Sequence, residues 1–189
     1  EGTLNLGTNG VGIYNENGAV GNINGKIETG SNGVGIFGLD SVSINNNTLI
    51  SSTGNSVLGI FADGNTTGTV IKNDTLGIID LSGENVIGIY AAGTSAKDIL
   101  NDGIITVGNS SVPNNPNIGI YNNILGSTIR NNNTLNLGVN SLGIYDKVGS
   151  VTENGILNIV SAGTGILSEN GTVNITAVSA INIGGAEAI

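Results

Sequence analysis

The chain has 189 residues and a formal net charge of −9, and its 32 glycines contrast with a complete absence of Cys, Met, Trp and His. Without Cys and His there is no disulfide framework, no thiol nucleophile and neither the commonest general base nor the commonest metal ligand. The five basic residues cannot form a phosphate-binding surface, and no apolar run approaches the ~20 residues of a membrane span. Nucleic acid and direct membrane contact are therefore not expected. Hydrophobic residues still make up 38% of the chain, which favours an ordered β protein with many turns.

The first repeated pattern, in chain order, is an aliphatic residue followed by Gly, Ile and an aromatic residue. It begins with residues 11–14, Val-Gly-Ile-Tyr, and its weaker last copy ends in Leu167. The glycines of the copies are 23, 24, 29, 31, 24 and 22 residues apart. They are Gly12, Gly35, Gly59, Gly88, Gly119, Gly143 and Gly165. This recurrence predicts repeat units of roughly 22–31 residues.

A second pattern, a turn residue followed by an alternating strand, occurs between copies of the first. Its copies centre on Leu4, Ile27, Leu49, Leu76, Ile105, Leu135, Leu157 and Val173. A third, looser strand lies at 42–44, 70–71, 99–100 and 128–129. Each unit thus holds three short apolar strands separated by Asn, Gly, Ser and Asp turns. This predicts an all-β solenoid with three strands per coil, in which each strand pairs in parallel with its copy about 4.8 Å away in the next coil.

The repeats cover the chain and predict a single domain, residues 1–189, with seven to eight coils. The chain begins at Glu1 without Met and ends with the pattern still running, so we interpret it as a β-helix fragment of a larger protein. Only 8 residues separate Gly165 from Val173, which is shorter than in the other coils. The coils within 165–189 are therefore predicted to be degenerate, with the middle strand missing or fused.

Two loop insertions are predicted between the second pattern and the next Gly-Ile, where the usual distance is 8 residues. The distance grows to 12 residues after Leu76 and to 14 after Ile105, which predicts loops at 77–87 and 106–118. Solenoids place insertions on one face, often the binding face. The longer loop holds both prolines and three candidate ligand-binding residues, Asn109, Asn114 and Asn115. The alternative interpretation is a neutral surface loop.

The segments Gly-Val-Gly-Ile-Tyr at 10–14 and Asn-Gly-Lys-Ile at 24–27 resemble the passenger regions of large type V autotransporter adhesins, particularly fusobacterial ones. The resemblance extends from Gly2 to about Ile183. It implies a right-handed parallel β-helix, displayed on the bacterial cell surface and anchored in the outer membrane through a domain outside this chain. It also implies adhesion to a host or bacterial surface protein or glycan, or a spacer role that displays a binding tip, by a monomeric segment. It supplies no catalytic motif.

The six aromatic residues all occupy the last position of the first pattern and are candidate ligand contacts. They are Tyr14, Phe37, Phe61, Tyr90, Tyr121 and Tyr145. Because alternate strand residues face opposite sides, the Ile is predicted to face the core, and the aromatic residue and Gly to share the outer face. Two interpretations stay open: a platform on which a glycan stacks, and a structural stack. Crowding by the aromatic residue, or an unusual backbone angle, would explain the recurrent Gly.

Acidic residues follow the first pattern in five coils and could either bind Ca²⁺ or serve turns and solubility. They are Glu16, Asp40, Asp63, Asp146 and Glu169. No catalytic, metal or cofactor-binding residue is predicted, and no cofactor is expected. The rival function, a β-helix polysaccharide hydrolase or lyase, requires paired carboxylates. The pairs close in sequence are Asp80 with Glu84 and Asp98 with Asp102, and neither has an obvious acid–base partner. The sequence therefore predicts a non-catalytic protein.

Overall fold

The computed structural model describes residues 2–22 and 24–185. These residues form 22 short β-strands and no helix. The chain winds as a right-handed parallel β-helix of about eight turns, with three parallel sheets along its length. The predicted fold class and the three-strand coil are therefore confirmed.

Each coil contributes one strand to each sheet. Sheet A contains β1 (Gly2–Asn5), β4 (Gly25–Glu28), β7 (Leu49–Ser52), β10 (Ile78–Leu81), β13 (Ile104–Val107), β16 (Thr134–Leu137), β19 (Ile156–Ile159) and β22 (Ala180–Ile183). Sheet B contains β2 (Val11–Glu16), β5 (Val34–Leu39), β8 (Leu58–Asp63), β11 (Ile87–Ala91), β14 (Ile118–Asn122), β17 (Leu142–Asp146) and β20 (Thr164–Ser168). Sheet C contains β3 (Ala19–Asn22), β6 (Ser43–Asn46), β9 (Thr69–Asn73), β12 (Lys97–Asn101), β15 (Ser127–Asn131), β18 (Gly149–Glu153) and β21 (Thr172–Ile175). We call the turns from B to C, from C to A and from A to B the first, second and third corners.

Columns of aliphatic side chains fill the interior, and each sheet contributes at least one of them. In the fourth coil they are represented by Ile89 of sheet B, Ile99 of sheet C and Ile105 of sheet A, all fully buried. The same positions in neighbouring coils are in register through the parallel pairings. Each coil therefore covers the apolar surface of the next, and stability belongs to the stack rather than to a single coil.

The insertion predicted at 77–87 is wrong. Leu76 lies in the second corner and is 79% exposed. The sheet A core position is taken by Ile79, which pairs with Ile50 rather than with Leu49. Residues of the predicted loop therefore form β10, and the third corner that follows has an ordinary length. The pattern was misplaced because apolar residues in the corner and in the strand that follows it fit more than one register.

The degenerate final coils are also corrected for the residues that the structure describes. Val173 belongs to β21 of sheet C and pairs with Val151. The sheet A position is occupied by Ile181, which lies 16 residues after Gly165, within the range of the other coils. The middle strand expected to be missing or fused is thus present. Residues 186–189, also part of that prediction, lie outside the described residues.

The longer predicted insertion is a loop at the third corner between β13 and β14. It occupies residues 108–117, so the ends of the predicted range, 106–107 and 118, belong to the flanking strands. The other third corners between described strands have four or five residues. The flanking strands keep their parallel register with both neighbouring coils, so the insertion leaves the stack undisturbed.

The third corners of most coils turn through one residue in the left-handed backbone conformation, with φ between 53° and 61°. The residues are Asn9, Asn32, Ser56, Asn85, Asn140 and Ala162. Asn tolerates this conformation through local hydrogen bonding, whereas Ala has no such compensation. Ala162 is therefore a point of local backbone strain.

Ala162→Gly is expected to raise the free energy of unfolding by about 0.5 kcal/mol, because glycine reaches this conformation without a Cβ clash. Urea denaturation followed by circular dichroism would measure the change. The matched control is Ala19→Gly at an exposed position of β3, where the extra freedom of the unfolded chain should destabilise the protein by about 0.5–1 kcal/mol. Equal signs for the two substitutions would contradict the explanation.

Candidate functional site

The aromatic residues form a continuous column along the outer face of sheet B. Adjacent ring centroids are 4.8–5.3 Å apart. The rings from Phe37 to Tyr145 are stacked, with interplanar angles of 20–24°. Tyr14 instead meets Phe37 edge-on and is 53% exposed, while the other five side chains are partly buried. The column lies outside the core, as strand alternation predicts.

Stacking leaves ring edges, rather than ring faces, open to solvent. A sugar that packs on an aromatic side chain needs a free face, and each inner ring has both faces against its neighbours. Only the ends of the column could offer such a face. The geometry therefore supports the structural-stack interpretation over the glycan-stacking platform.

The recurrent glycine does not share the outer face with the aromatic residue, so that prediction is wrong. A Cβ on Gly88 would lie 2.5 Å from the carbonyl oxygen of Gly119 and 2.8 Å from Cγ2 of Ile105. The pairing of β11 with β14 runs through Ile87 and Ile89 and omits Gly88. The alternation of inward and outward residues along the strand is thus interrupted, and both Gly88 and Ile89 are buried. The glycine is needed for close approach to the next coil, because no copy in the first pattern has a positive φ.

A second apolar column lies beside the aromatic one on the outer face of sheet B. It consists of the aliphatic residues that open the first pattern, Val11, Val34, Leu58, Ile87, Ile118 and Leu142. Most of these side chains are partly exposed. Because the Gly and Ile between the two columns are buried in the copies from Gly35 to Ile144 and partly buried in the first copy, the intervening surface is backbone. We call the two columns and this backbone the sheet B strip.

Two of the five predicted acidic residues contact the ends of the aromatic column. Glu16 accepts a hydrogen bond from the Tyr14 hydroxyl at 3.3 Å. Glu169 accepts one from the Tyr145 hydroxyl, and this bond raises the pKa of Tyr145 to about 12. These carboxylates border the sheet B strip rather than converge on one another.

The other three acids serve the first corners. Asp40 accepts from the backbone N–H of Asn65 at 2.5 Å, and Asp63 accepts from that of Gly64 at 2.7 Å. Asp146 is buried and accepts from the Asn122 amide at 2.8 Å. Within residues 2–22 and 24–185 no three acidic side chains are grouped closely enough to hold a metal ion. These contacts fit the turn-chemistry interpretation.

Sequence reasoning missed a buried amide ladder at the second corner. Asn46 donates to Asn73 at 2.7 Å, Asn73 donates to Asn101 at 2.8 Å, and Asn101 donates to Asn131 at 2.7 Å. Asn131 donates to Glu153 Oε1 at 2.8 Å. All five side chains are fully buried. The available signal was an Asn at the end of successive strands of sheet C, hidden by the abundance of Asn elsewhere.

Glu153 ends this ladder, because the equivalent residue of the next coil is Ile175. Glu153 Oε1 also accepts from the Gly155 N–H at 2.9 Å, whereas Oε2 has no hydrogen-bond partner among the described residues. Burial raises the pKa of Glu153, and the bonds from Asn131 and Gly155 act in the opposite direction. The folded state therefore binds this proton more tightly than the unfolded state does.

Glu153→Gln is expected to stabilise the protein on the order of 1 kcal/mol near neutral pH, because it removes a buried charge. A raised folded-state pKa contributes stability below the unfolded pKa that is lost as pH rises through the folded pKa. The gain should thus be small at about pH 4 and larger at about pH 8. Urea unfolding at both pH values measures it, with exposed Glu28→Gln as control. A gain that shrinks with rising pH would refute this account.

Polar side chains surround a cavity of about 390 Å³ where sheet A meets the third corner. Its lining includes Glu28 and Asp80, together with the hydroxyl residues Ser51, Thr53 and Ser82. Glu28 and Asp80 pair with Ser51 from opposite sides, which separates their Cα atoms by about 10 Å. The sequence did not single out this pair, because their proximity depends on register.

Three of the four acids in the pairs that the sequence did single out are held in structural contacts, and Asp80 is the exception. Asp98 lies 3.7 Å from Arg130, and Asp102 lies 3.0 Å from Lys72. Glu84, which was paired with Asp80, accepts from the Ser111 N–H at 3.0 Å. These contacts neutralise or occupy the carboxylates, so neither pair is arranged as a free acid and base.

The candidate residues of the 108–117 loop differ in their surroundings. Asn109 accepts from the Val139 N–H at 2.8 Å, so its side chain holds the corner to the next coil. Asn114 and Asn115 are exposed at the tip. The base is anchored by buried Asn117, whose amide donates to the carbonyls of residues 83, 108 and 109 at 2.8–3.2 Å. The loop is therefore a fixed projection, and its role in binding stays a prediction.

Comparisons with known proteins return no match to a family model, to a curated protein or to a solved structure. Among the described residues there is no helix of the length and hydrophobicity needed to cross a membrane.

Proposed function

We propose that the chain is a non-catalytic segment of a bacterial cell-surface autotransporter passenger, located outside the cell. It serves adhesion to host or other bacterial cells, or acts as a rigid spacer that displays a binding tip. The observation that carries the proposal is the continuous register of three parallel sheets through every described coil. A stack without a break in register is a stiff rod, and a stiff rod suits both the reach of an adhesin and the work of a spacer.

The resemblance of residues 10–14 and 24–27 to autotransporter passengers also supports the proposal. The partner would be a surface protein or a glycan, and the segment would act as a monomer. The projecting 108–117 loop offers an exposed polar tip that includes Asn114 and Asn115. A loop already fixed by Asn117 loses little entropy when it meets a partner.

Binding and spacing are separated by a glycan array and a cell-binding assay on the 189-residue protein. Binding that depends on the loop supports adhesion through this segment. A protein that binds neither glycans nor cells, but restores adhesion when it is inserted beneath a known binding tip, is a spacer. Failure in both assays would overturn the proposal.

Deletion of residues 111–115 is expected to leave the fold intact and to change the free energy of unfolding by less than about 1 kcal/mol. The shortened corner keeps Gly108, Asn109 and Asn117 and matches the five-residue corner at 82–86. Thermal unfolding measures the effect, and Asn117→Ala, which removes the anchor, should destabilise more. A deletion variant that fails to fold would show that the tip belongs to the structural framework.

A β-helix polysaccharide hydrolase or lyase is the second candidate, favoured by the cavity between Glu28 and Asp80. Inverting glycosidases hold their two carboxyl groups about 6.5–9.5 Å apart, with room for a water molecule. Residues two coils apart, about 10 Å between Cα atoms, can satisfy that spacing. A reducing-sugar assay on pooled polysaccharides tests the idea. Activity that Glu28→Gln and Asp80→Asn each abolish would establish it, and absence of activity would remove it.

A further inference from the structure

We propose that the sheet B strip binds a flat, elongated aromatic molecule that carries a positive charge, with its long axis parallel to the rod. This proposal goes beyond adhesion or spacing and does not depend on either. It stands on the shape of the strip, on the charges at its border and on its area.

The shape of the strip suits a planar body. The two apolar columns are three residues apart along each strand, or about 10 Å between Cα atoms. The surface between them is backbone, because Gly88 and Ile89 and their equivalents are buried in the copies from Gly35 to Ile144. The aromatic column, from Tyr14 to Tyr145, extends about 25 Å along the rod at the interstrand spacing. A flat molecule can therefore lie along several coils without meeting a side chain that blocks it.

The ring edges set the orientation of the ligand. Aromatic edges carry partial positive charge, and they attract the π face of another aromatic molecule in an edge-to-face contact. A cationic group is not stabilised by those edges and must be placed beside the carboxylates that border the strip. The ligand is thus apolar and aromatic in its body, with its charge directed to the border.

The border of the strip is acidic. Glu16 and Glu169 bond the end tyrosines, and Asp63 lies at the end of β8. Asp63 lies two residues after Phe61 in β8 and so faces the same side of the strand as the aromatic column. Burial raises the pKa of Tyr90, and the charges of Tyr121 and Asp63 add to that rise. Four of the five basic residues are bound or lie elsewhere: Lys72 and Arg130 pair with acids, Lys97 is buried and Lys26 lies in sheet A. The fifth, Lys147, is exposed directly after β17, so one cation stands among the acids of this border.

The area of the strip selects a small molecule over a protein. A surface of about 25 Å by 10 Å offers roughly 250 Å², whereas a stable protein interface buries about 800 Å² on each partner. A second copy of the chain would bury too little area on this surface alone to form a stable dimer. A planar molecule can cover most of its own face on the same area.

Thioflavin T, a planar molecule with a cationic benzothiazolium ring at one end and a dimethylaminophenyl ring at the other, is a direct probe, because its cationic end can lie beside the border carboxylates. We expect saturable fluorescence enhancement with the monomeric protein, and weaker binding of its uncharged analogue that lacks the ring N-methyl group. Ile87→Lys should weaken thioflavin T binding by about tenfold or more, because it places a like charge on the strip. Ile87→Glu should maintain or strengthen binding. The matched control is Ile104→Lys, at the first position of a sheet A strand and 37% exposed, which should leave binding unchanged.

The outcomes separate the proposal from non-specific dye binding. Analytical ultracentrifugation must show the dye sedimenting with the monomer, and dye found only with aggregates would overturn the proposal. Equal weakening by Ile87→Lys and Ile104→Lys would also overturn it, because the site would then not be sheet B. Circular dichroism of each variant confirms that the β-helix is retained. If Ile87→Lys fails to fold, the opposite effects of Ile87→Glu and increased salt on thioflavin T binding provide the same test.

Discussion

Gly88→Val is expected to lower the free energy of unfolding by more than about 4 kcal/mol or to prevent folding. Even the Cβ atom would lie 2.5 Å from the Gly119 carbonyl oxygen. That atom belongs to the backbone of the adjacent strand, so it cannot move without disturbing the ladder. Urea unfolding measures the loss. Val34→Ala, at a partly exposed position of the outer face, should cost much less.

A comparison of two alanine substitutions tests the steric explanation directly. A Cβ on Gly165 would meet the side-chain tips of Leu157 and Ile159 at 2.9 and 3.0 Å, with no backbone atom among its nearest contacts. Side-chain tips can shift, whereas the carbonyl facing Gly88 cannot. Gly88→Ala should therefore destabilise the protein more than Gly165→Ala, by about 1 kcal/mol or more. Equal losses would mean that contact with the next coil is not the constraint.

Asn101→Ala is expected to cost about 3–5 kcal/mol, because it interrupts the buried amide ladder at its centre. The substitution removes the acceptor for Asn73 and the donor to Asn131, and both of those groups are buried. An unpaired polar group in the interior carries its full desolvation penalty. Equilibrium urea unfolding would measure the loss.

The control for this substitution is Asn136→Ala on the outer face of sheet A. Asn136 also belongs to a cross-coil series, since Asn158 donates to it at 2.8 Å. It is only partly buried, so water can replace the lost bond and the cost should be below about 1 kcal/mol. If both substitutions cost the same, burial is not what gives the inner ladder its importance.

The first pattern was sufficient to predict the coil because its Ile and aromatic residue have opposite environments. Ile36 is buried and Phe37 lies in the outer stack, as strand alternation requires. The position of the glycine could not be derived in the same way. Its inward placement depends on an interrupted alternation that becomes visible only once Ile87 and Ile89 are paired with the next strand.

The second pattern failed where aliphatic residues a few positions apart offered alternative registers. Leu76 and Ile79 are both apolar and three residues apart, and only the pairing with Ile50 decides which one is buried. The amide ladder and the Glu28–Asp80 pair were missed for a related reason. Both depend on which residues of successive coils are aligned with each other. A register error in one strand therefore changes every predicted neighbour across the coils.

The regular pairing of each strand with its copy one coil away also determines how the chain can fold. Pairing partners are separated by one repeat, so the chain never has to bring together segments from opposite ends of the sequence. The entropy of loop closure changes only slowly with loop length. The entropic cost of adding one coil is therefore similar along the whole chain. Folding can therefore begin at a pair of coils and advance as each completed coil templates its neighbour. A chain emerging from one end could fold in step with its emergence.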